Sequence, residues 1–288
     1  MDTTELLKKV RRIEIKTKGL SNQIFSGEYQ TAFKGRGMNF SEVREYQYGD
    51  DVRAIDWNVT ARFSHPYIKV FEEERELSMM LLVDVSNSAL FGTQEQRKKD
   101  LITEICAVLA FSAISNNDKV GVIFFSNRIE KYIPPKKGKS HILLIIRELL
   151  SLKPKGNGTD IGAALRFFTN ANKKKSIVFL ASDFLNSGYE DALTLASRKH
   201  DLIGLHVYDR RDKELPKVGM IKMKDSETGA EQWVDTSNRA IREFYTKKFV
   251  EHRQYCKKAF LKSGAELLNI QTGQDYVKVL KGFFKKRI

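Results

Sequence analysis

Apolar residues follow two alternating rhythms along the chain. Short, nearly unbroken apolar runs at 78–84 (SMMLLVD), 119–125 (KVGVIFF), 176–182 (SIVFLAS) and 201–208 (DLIGLHVY) read as strands buried on both faces. Two weaker runs follow, at 129–133 after the turn residues Asn127 and Arg128, and at 265–270. Between the runs, apolar positions recur every three to four residues, which predicts helices. The first spans 95–116, with Leu101, Ile102, Ile105, Leu109 and Ala113 on its inner side. Others cover 140–152, with Ser140 as the expected N-cap, then 160–172, 189–199, 237–263 and 274–286. Strands alternating with helices place the chain in the α/β class, as a doubly wound, mainly parallel sheet flanked by helices, of the Rossmann type. Residues 217–235 interrupt the alternation with a hairpin around SETG.

Ahead of the first buried strand the rhythm is different. Leu6, Leu7, Val10 and Ile13 give 3–15 one apolar face on a short basic helix, and glycine-containing loop sequence follows to Gly37. The stretch 35–76 then sets Arg44, Asp50, Asp51, Arg53, Asp56 and Arg62 around Tyr46, Tyr48 and Trp57. Alternating acids and arginines around large aromatics suit bidentate arginine–carboxylate pairing. Two domains are therefore expected: an N-terminal extension over 1–76 and the α/β domain over 77–288. The extension is expected to pack on the α/β domain, with 35–70 acting as a latch that buries Trp57. A partner-binding face is the alternative.

Composition narrows the possibilities. With 41% hydrophobic and 30% charged residues the chain suits a globular fold with ample core. No apolar stretch approaches the ~20 residues needed to span a bilayer, and the first thirty residues contain no signal-peptide core, so a cytoplasmic location is expected. Cys106 and Cys256 are too far apart in sequence for a disulfide framework or zinc site, and read as buried thiols. The histidines at 65, 141, 200, 206 and 252 show no metal or triad spacing. A formal charge of +14, clustered at 8–18, 136–139, 173–175, 247–262 and 278–287, points to solvated helix faces and to an acidic protein partner. Nucleic acid is not expected, because no nucleic-acid motif accompanies the charge and few aromatics interleave with it. Val277, Leu280, Phe283 and Phe284 form a stripe on the last helix. Core packing is its favoured reading over contact with a membrane surface.

Candidate chemistry lies at the end of the first buried strand. Asp84, Ser86 and Ser88 occupy alternate positions on the loop that leaves it, and can turn towards one point. Thr159 sits in the glycine-rich loop GNGTD before a helix, and Asp183 directly follows an apolar strand. In a doubly wound sheet ordered 3-2-1-4-5-6, the first and fourth strands are neighbours at the switch point, where ligands bind beyond the strands' carboxyl ends. Counting 78–84 as first makes 176–182 the fourth, so all three loops converge. Hard oxygen donors with no Cys or His among them suit Mg²⁺, with Mn²⁺ or Ca²⁺ as substitutes.

The order Asp84-x-Ser86-x-Ser88, Thr159, Asp183 resembles the metal-ion-dependent adhesion site (MIDAS) of von Willebrand factor A domains. That resemblance implies direct ligation by Ser86 and Ser88. Thr159 would ligate directly or through water, and Asp84 and Asp183 would mainly hold coordinating waters. An incoming carboxylate from a partner would replace one of these waters. Upstream, EVREYQYGDDVRAIDWNVTAR at 42–62 resembles the signature of the domain-of-unknown-function 58 family. Arg44, Tyr46, Gly49, Asp50, Asp51, Arg53, Ile55, Asp56, Trp57, Ala61 and Arg62 all fit it in place. Ala89 departs from it, standing where a Met often follows the second serine. The resemblance implies association with a MoxR-type AAA+ ATPase and, in some lineages, with aerotolerance operons.

The resulting expectation is a non-enzymatic, metal-dependent protein-binding module that adapts, or recognises substrate for, such an ATPase through an acidic side chain at the metal. A haloacid dehalogenase-like phosphohydrolase is the alternative, since its nucleophilic Asp also follows an apolar strand. That chemistry wants a second Asp two positions on, where this chain has Ser86. The KKGKS stretch at 136–140 does not make a phosphate-binding loop, because Ile133 stands where its first glycine belongs.

Overall fold

A computed structural model describes residues 10–14, 16, 38–63, 65–73, 77–90, 97–156, 158–224 and 230–287. The chain divides into two compact units, Phe33–Glu76 and a larger one made of Met1–Ala32 with Leu77–Ile288.

In the smaller unit, β1 (Met38–Glu45) pairs antiparallel with β2 (Tyr67–Glu73). Gly49, at φ 108°, turns the chain after β1 in a conformation that disfavours any side chain. Arg44 closes this turn by bonding both carboxylate oxygens of Asp50, at 2.8 and 2.7 Å. The next carboxylate, Asp51, caps a 3-10 turn at Val52–Ala54 by accepting from the Arg53 amide at 2.9 Å. Asp56 accepts from the Asn58 and Val59 amides in the first turn of α1 (Trp57–Phe63), at 3.0 and 3.3 Å. Its cationic partner is Lys69, at 3.3 Å, rather than an arginine. The expectation for Trp57 fails: it is 68% exposed, and Tyr48 and Phe63 are exposed with it. Among the described residues of this unit Asp56 and Ile68 are buried, and the tryptophan is not.

The larger unit is built on six strands: β3 (Ser78–Asp84), β4 (Lys119–Phe125), β5 (Ile129–Lys136), β6 (Ile177–Ser182), β7 (Asp201–Tyr208) and β10 (Glu266–Gln271). Their order across the sheet is β10-β7-β6-β3-β4-β5. Counted from β3, this is the expected doubly wound order, with β3 and β6 adjacent and parallel at the switch point. Among the described residues of this sheet, β4 and β5 pair antiparallel and the other neighbours pair parallel. There Pro134 and Pro135 lie on an edge strand, where a missing amide donor costs least. Met79, Met80, Leu81 and Leu82 are fully buried, as an apolar run covered on both faces requires.

Its helices include α2 (Lys98–Ser115), α3 (Lys139–Ser151), α4 (Ile161–Ala171), α5 (Glu190–Lys199), α6 (Arg210–Lys213), α7 (Arg239–Ser263) and α8 (Tyr276–Lys286). Helix α3 begins one residue earlier than its expected cap: Gly138, at φ 102°, is the N-cap, and Ser140 lies inside the first turn. On α7, Phe260 lies so close to β7 that a Cβ on Gly204 would meet its ring at 2.5 Å. Leu280, Phe283 and Phe284 of α8 are buried, so that stripe is core packing. The interrupting hairpin is β8 (Met220–Lys224) against β9 (Glu231–Asp235), while its SETG turn lies outside the described residues. Residues assigned above to the N-terminal extension belong here too: Val10 is buried, Glu14 pairs with Lys139, and Lys16 bonds Glu104 at 2.8 Å. Among the described residues no helix is long and apolar enough to cross a membrane.

Candidate metal centre

Strand β3 ends by delivering Asp84 to the switch point, where both of its carboxylate oxygens are engaged. Oδ1 accepts from the Ser86 amide at 2.9 Å, and Oδ2 accepts from Ser182 Oγ at the end of β6, at 2.6 Å. The chain then turns through a 3-10 segment, Asn87–Leu90, which brings the Ser86 and Ser88 hydroxyls within 3.0 Å of each other. Asp183 follows β6 directly. It receives the Ser88 hydroxyl and, at Oδ1, the Leu185 amide at 3.3 Å. Phe184, between them, takes φ 56° with its amide bonded to Ser182 Oγ at 2.9 Å. A buried aromatic in the left-handed region is uncommon and costs about 1–2 kcal/mol, and here the surrounding bonds and packing hold it.

Thr159 arrives on the loop before α4. That loop is fastened on two sides: the Asp160 amide bonds Ser126 O at 2.9 Å, and Asn186 Nδ2 bonds Thr159 O at 2.8 Å. Asp160 also caps α4, accepting from the Ala163 amide at 2.8 Å. The second of the two fastenings ties Thr159 to the loop carrying Asp183. All five expected residues are buried. Among the described residues Thr159 Oγ1 finds no hydrogen-bond partner, although it is shielded from solvent. A buried hydroxyl without a partner is costly, so this oxygen fits the role of a metal or water ligand.

Electrostatics point the same way. Burial, and then the neighbouring charge of Asp183, push the Asp84 carboxyl up to about 6. Two carboxylates and a set of neutral hydroxyls suit a hard divalent cation, which would relieve that repulsion. Among the described residues no three Asp, Glu, His or Cys side chains gather as a metal cluster, so hydroxyl oxygens must make up any such ligand set.

The pattern reading missed three residues. Lys98, 1% exposed, places its ammonium 3.0 Å from Asp183 Oδ2 and 3.1 Å from Asp212 Oδ2. Burial works against its charge, but pairing with Asp183 and Asp212 outweighs this and raises its pKa above the ordinary value. For Asp183, too, burial is outweighed by Lys98, which holds the carboxyl below the usual range. Asp212 comes from α6, whose capping box joins it to Asp209. Ser182 is the third. A signal for Lys98 was present: it lies three and four positions before Leu101 and Ile102, on the stripe that faces the core.

The sheet order and the loops converging on Asp84 define a von Willebrand factor A-like α/β domain with a candidate metal site at its switch point. Residues 42–255 match the family described as "Protein of unknown function DUF58", and the chain belongs to that family. An uncharacterized protein of Mycobacterium tuberculosis strain H37Rv is 28% identical over 290 residues, covering 100% of this chain and 91% of its own. Among solved structures, an aerotolerance-related membrane protein from Bacteroides fragilis is similar at 17% identity and a TM-score of 0.49, over 73% of this chain and 99% of that one. The SpRpn10 VWA domain is similar at 11% identity and a TM-score of 0.38, over 71% and 93% of the two chains.

Proposed function

We propose that this protein is a non-enzymatic, metal-dependent protein-binding module of the cytoplasm, acting as adaptor or substrate-recognition partner for a MoxR-type AAA+ ATPase. The unpartnered Thr159 hydroxyl, buried beside the loop of Asp183, is the observation that carries the reading. Ser86, Ser88 and Thr159 would hold Mg²⁺ through their hydroxyls, and Asp84 and Asp183 would accept hydrogen bonds from its waters. A bound Mg²⁺ supplies an electrophilic point that an acidic side chain of the partner can reach by displacing water. The chain's excess of +14 would speed the approach of such an acidic surface. With a serine two positions after Asp84 there is no acid/base partner for a phosphoenzyme mechanism, and no hydrolytic turnover is expected.

The test is calorimetric titration of Mg²⁺ into wild type and Ser86→Ala, paired with recovery of a co-expressed MoxR-type ATPase. Metal and partner binding should weaken together in Ser86→Ala. Chelator should mimic the substitution, and millimolar Mg²⁺ should reverse the chelator alone. Equal recovery from wild type, variant and chelated samples would remove the metal from the contact. Metal-dependent phosphate release that Asp84→Asn abolishes would instead establish the phosphohydrolase alternative.

A further inference from the structure

The buried Lys98 ammonium lies between the carboxylates of Asp183 and Asp212. Lysine is almost never fully buried unless it is paired, and here the pairing joins α2, the loop after β6 and α6. Asp183 is one of the two carboxylates that the metal reading assigns to coordinating waters, yet its Oδ2 already faces a cation. Without the ammonium, the repulsion of Asp183 with Asp84 and with Asp212 would go uncompensated by it.

We propose that Lys98 is a built-in counter-cation of the site. It holds Asp183 and Asp212 in place when no metal is bound, and it lowers the affinity of the site for a divalent ion. The inference rests on the metal reading above and adds the residue that sets the strength of that binding. The physical reason is direct: two cations that draw on the same carboxylate repel one another, and the repulsion is poorly screened where both are buried. The tethered ammonium cannot diffuse away, so an incoming ion always competes with it. The site therefore keeps its geometry in the metal-free protein and takes up metal without folding around it.

The experiment uses the full chain as wild type, Lys98→Met and Lys98→Met/Asp212→Asn. Mg²⁺ affinity is read by calorimetry, and thermal midpoints are read in EDTA and in millimolar Mg²⁺. In Lys98→Met, Mg²⁺ should bind about tenfold tighter or more, because the competing charge is gone. Its midpoint should be low in EDTA and rise by several degrees with Mg²⁺, through the mass action of a ligand that binds the folded state, while the wild-type midpoint moves much less. The double variant has one carboxylate fewer to neutralise. It should stand higher in EDTA than Lys98→Met and still bind Mg²⁺ more tightly than wild type. Unchanged or weaker Mg²⁺ affinity in Lys98→Met overturns the inference; if that variant does not fold, the same result in the double variant does so. Failure of both to fold at any Mg²⁺ concentration also overturns it, since the metal should replace the lost charge. Wild type that binds Mg²⁺ beside a Lys98→Met that binds no tighter would sink this inference and leave the metal reading standing. The reverse, binding by Lys98→Met alone, would support the counter-cation and remove metal from the wild-type function. If neither binds, both fall.

Discussion

Ser182 and Asp84 end adjacent parallel strands and are joined by a 2.6 Å hydrogen bond from Ser182 Oγ to Asp84 Oδ2. With the Ser86 amide on Oδ1, this bond sets the carboxylate's position before any ligand arrives. The Ser182 oxygen also accepts from the Phe184 amide at 2.9 Å, so one hydroxyl orders both loops of the switch point.

Ser182→Ala should therefore do more than remove one bond. It leaves a buried carboxylate oxygen without its donor and a buried amide without its acceptor, at a cost of about 1–3 kcal/mol for each group left unsatisfied. Urea denaturation should show the loss, and Mg²⁺ titration should show weaker binding in the same variant. An unaltered urea midpoint would mean that the loops are ordered by other contacts.

Thr159→Val should separate stability from binding. The valine keeps the shape and removes a hydroxyl that has no partner, so the metal-free protein should be as stable as wild type, or more stable by about 1 kcal/mol. Mg²⁺ binding should weaken at the same time. Denaturation in EDTA and calorimetry on the same samples check both signs. A destabilised variant with normal metal affinity would show that this hydroxyl serves the fold.

Acid sensitivity should come in part from His200, which is 3% exposed, finds no hydrogen-bond partner at either ring nitrogen among the described residues and packs 4.5 Å from the Phe168 ring. Burial, and then Lys199, push its pKa down to about 4, against 6.5 for an unperturbed histidine. Above pH 6.5 the ring is neutral whether the chain is folded or not, and it adds no pH dependence. As pH falls from 6.5 towards 4, the unfolded chain takes up a proton that the folded one refuses. Stability is lost across that window, by up to about 3 kcal/mol. Asp84, with its carboxyl raised to about 6, acts in the opposite direction, so wild type is compared with His200→Leu. The variant should lose less stability than wild type between pH 7 and pH 4.5. Parallel losses would show that the folded protein admits the proton.

Trp57→Ala should barely change stability, within about 0.5–1 kcal/mol, because the side chain is 68% exposed. Asp56→Ala should cost more, about 1–2 kcal/mol. It removes a buried acceptor from the first turn of α1 and the partner of Lys69. Thermal melts of the two variants would rank them. A large loss for Trp57→Ala would return the tryptophan to a packing role.

The sequence by itself determined the class and the strand order, and it pointed to five candidate site residues. Each of these rests on local information. An apolar run such as MMLLV can be satisfied only by burial on both faces, and a strand followed by a crossover helix leaves few allowed topologies. Asp84, Ser86 and Ser88 are close in space because they are close in the chain. Thr159 and Asp183 could be added because the switch point of a doubly wound sheet gathers particular loops. The tertiary structure alone decided what surrounds them. Ser182 is 98 residues from Asp84, and Lys98 is 85 from Asp183, so neither partnership leaves a mark in local spacing. The apolar stripe turns Lys98 towards the core, but only the fold brings its two carboxylates to it. Trp57 shows the converse. Its charged and aromatic neighbours suggested a buried cluster, yet the short helix α1 leaves it exposed, and burial depends on which elements cover a side chain rather than on its character.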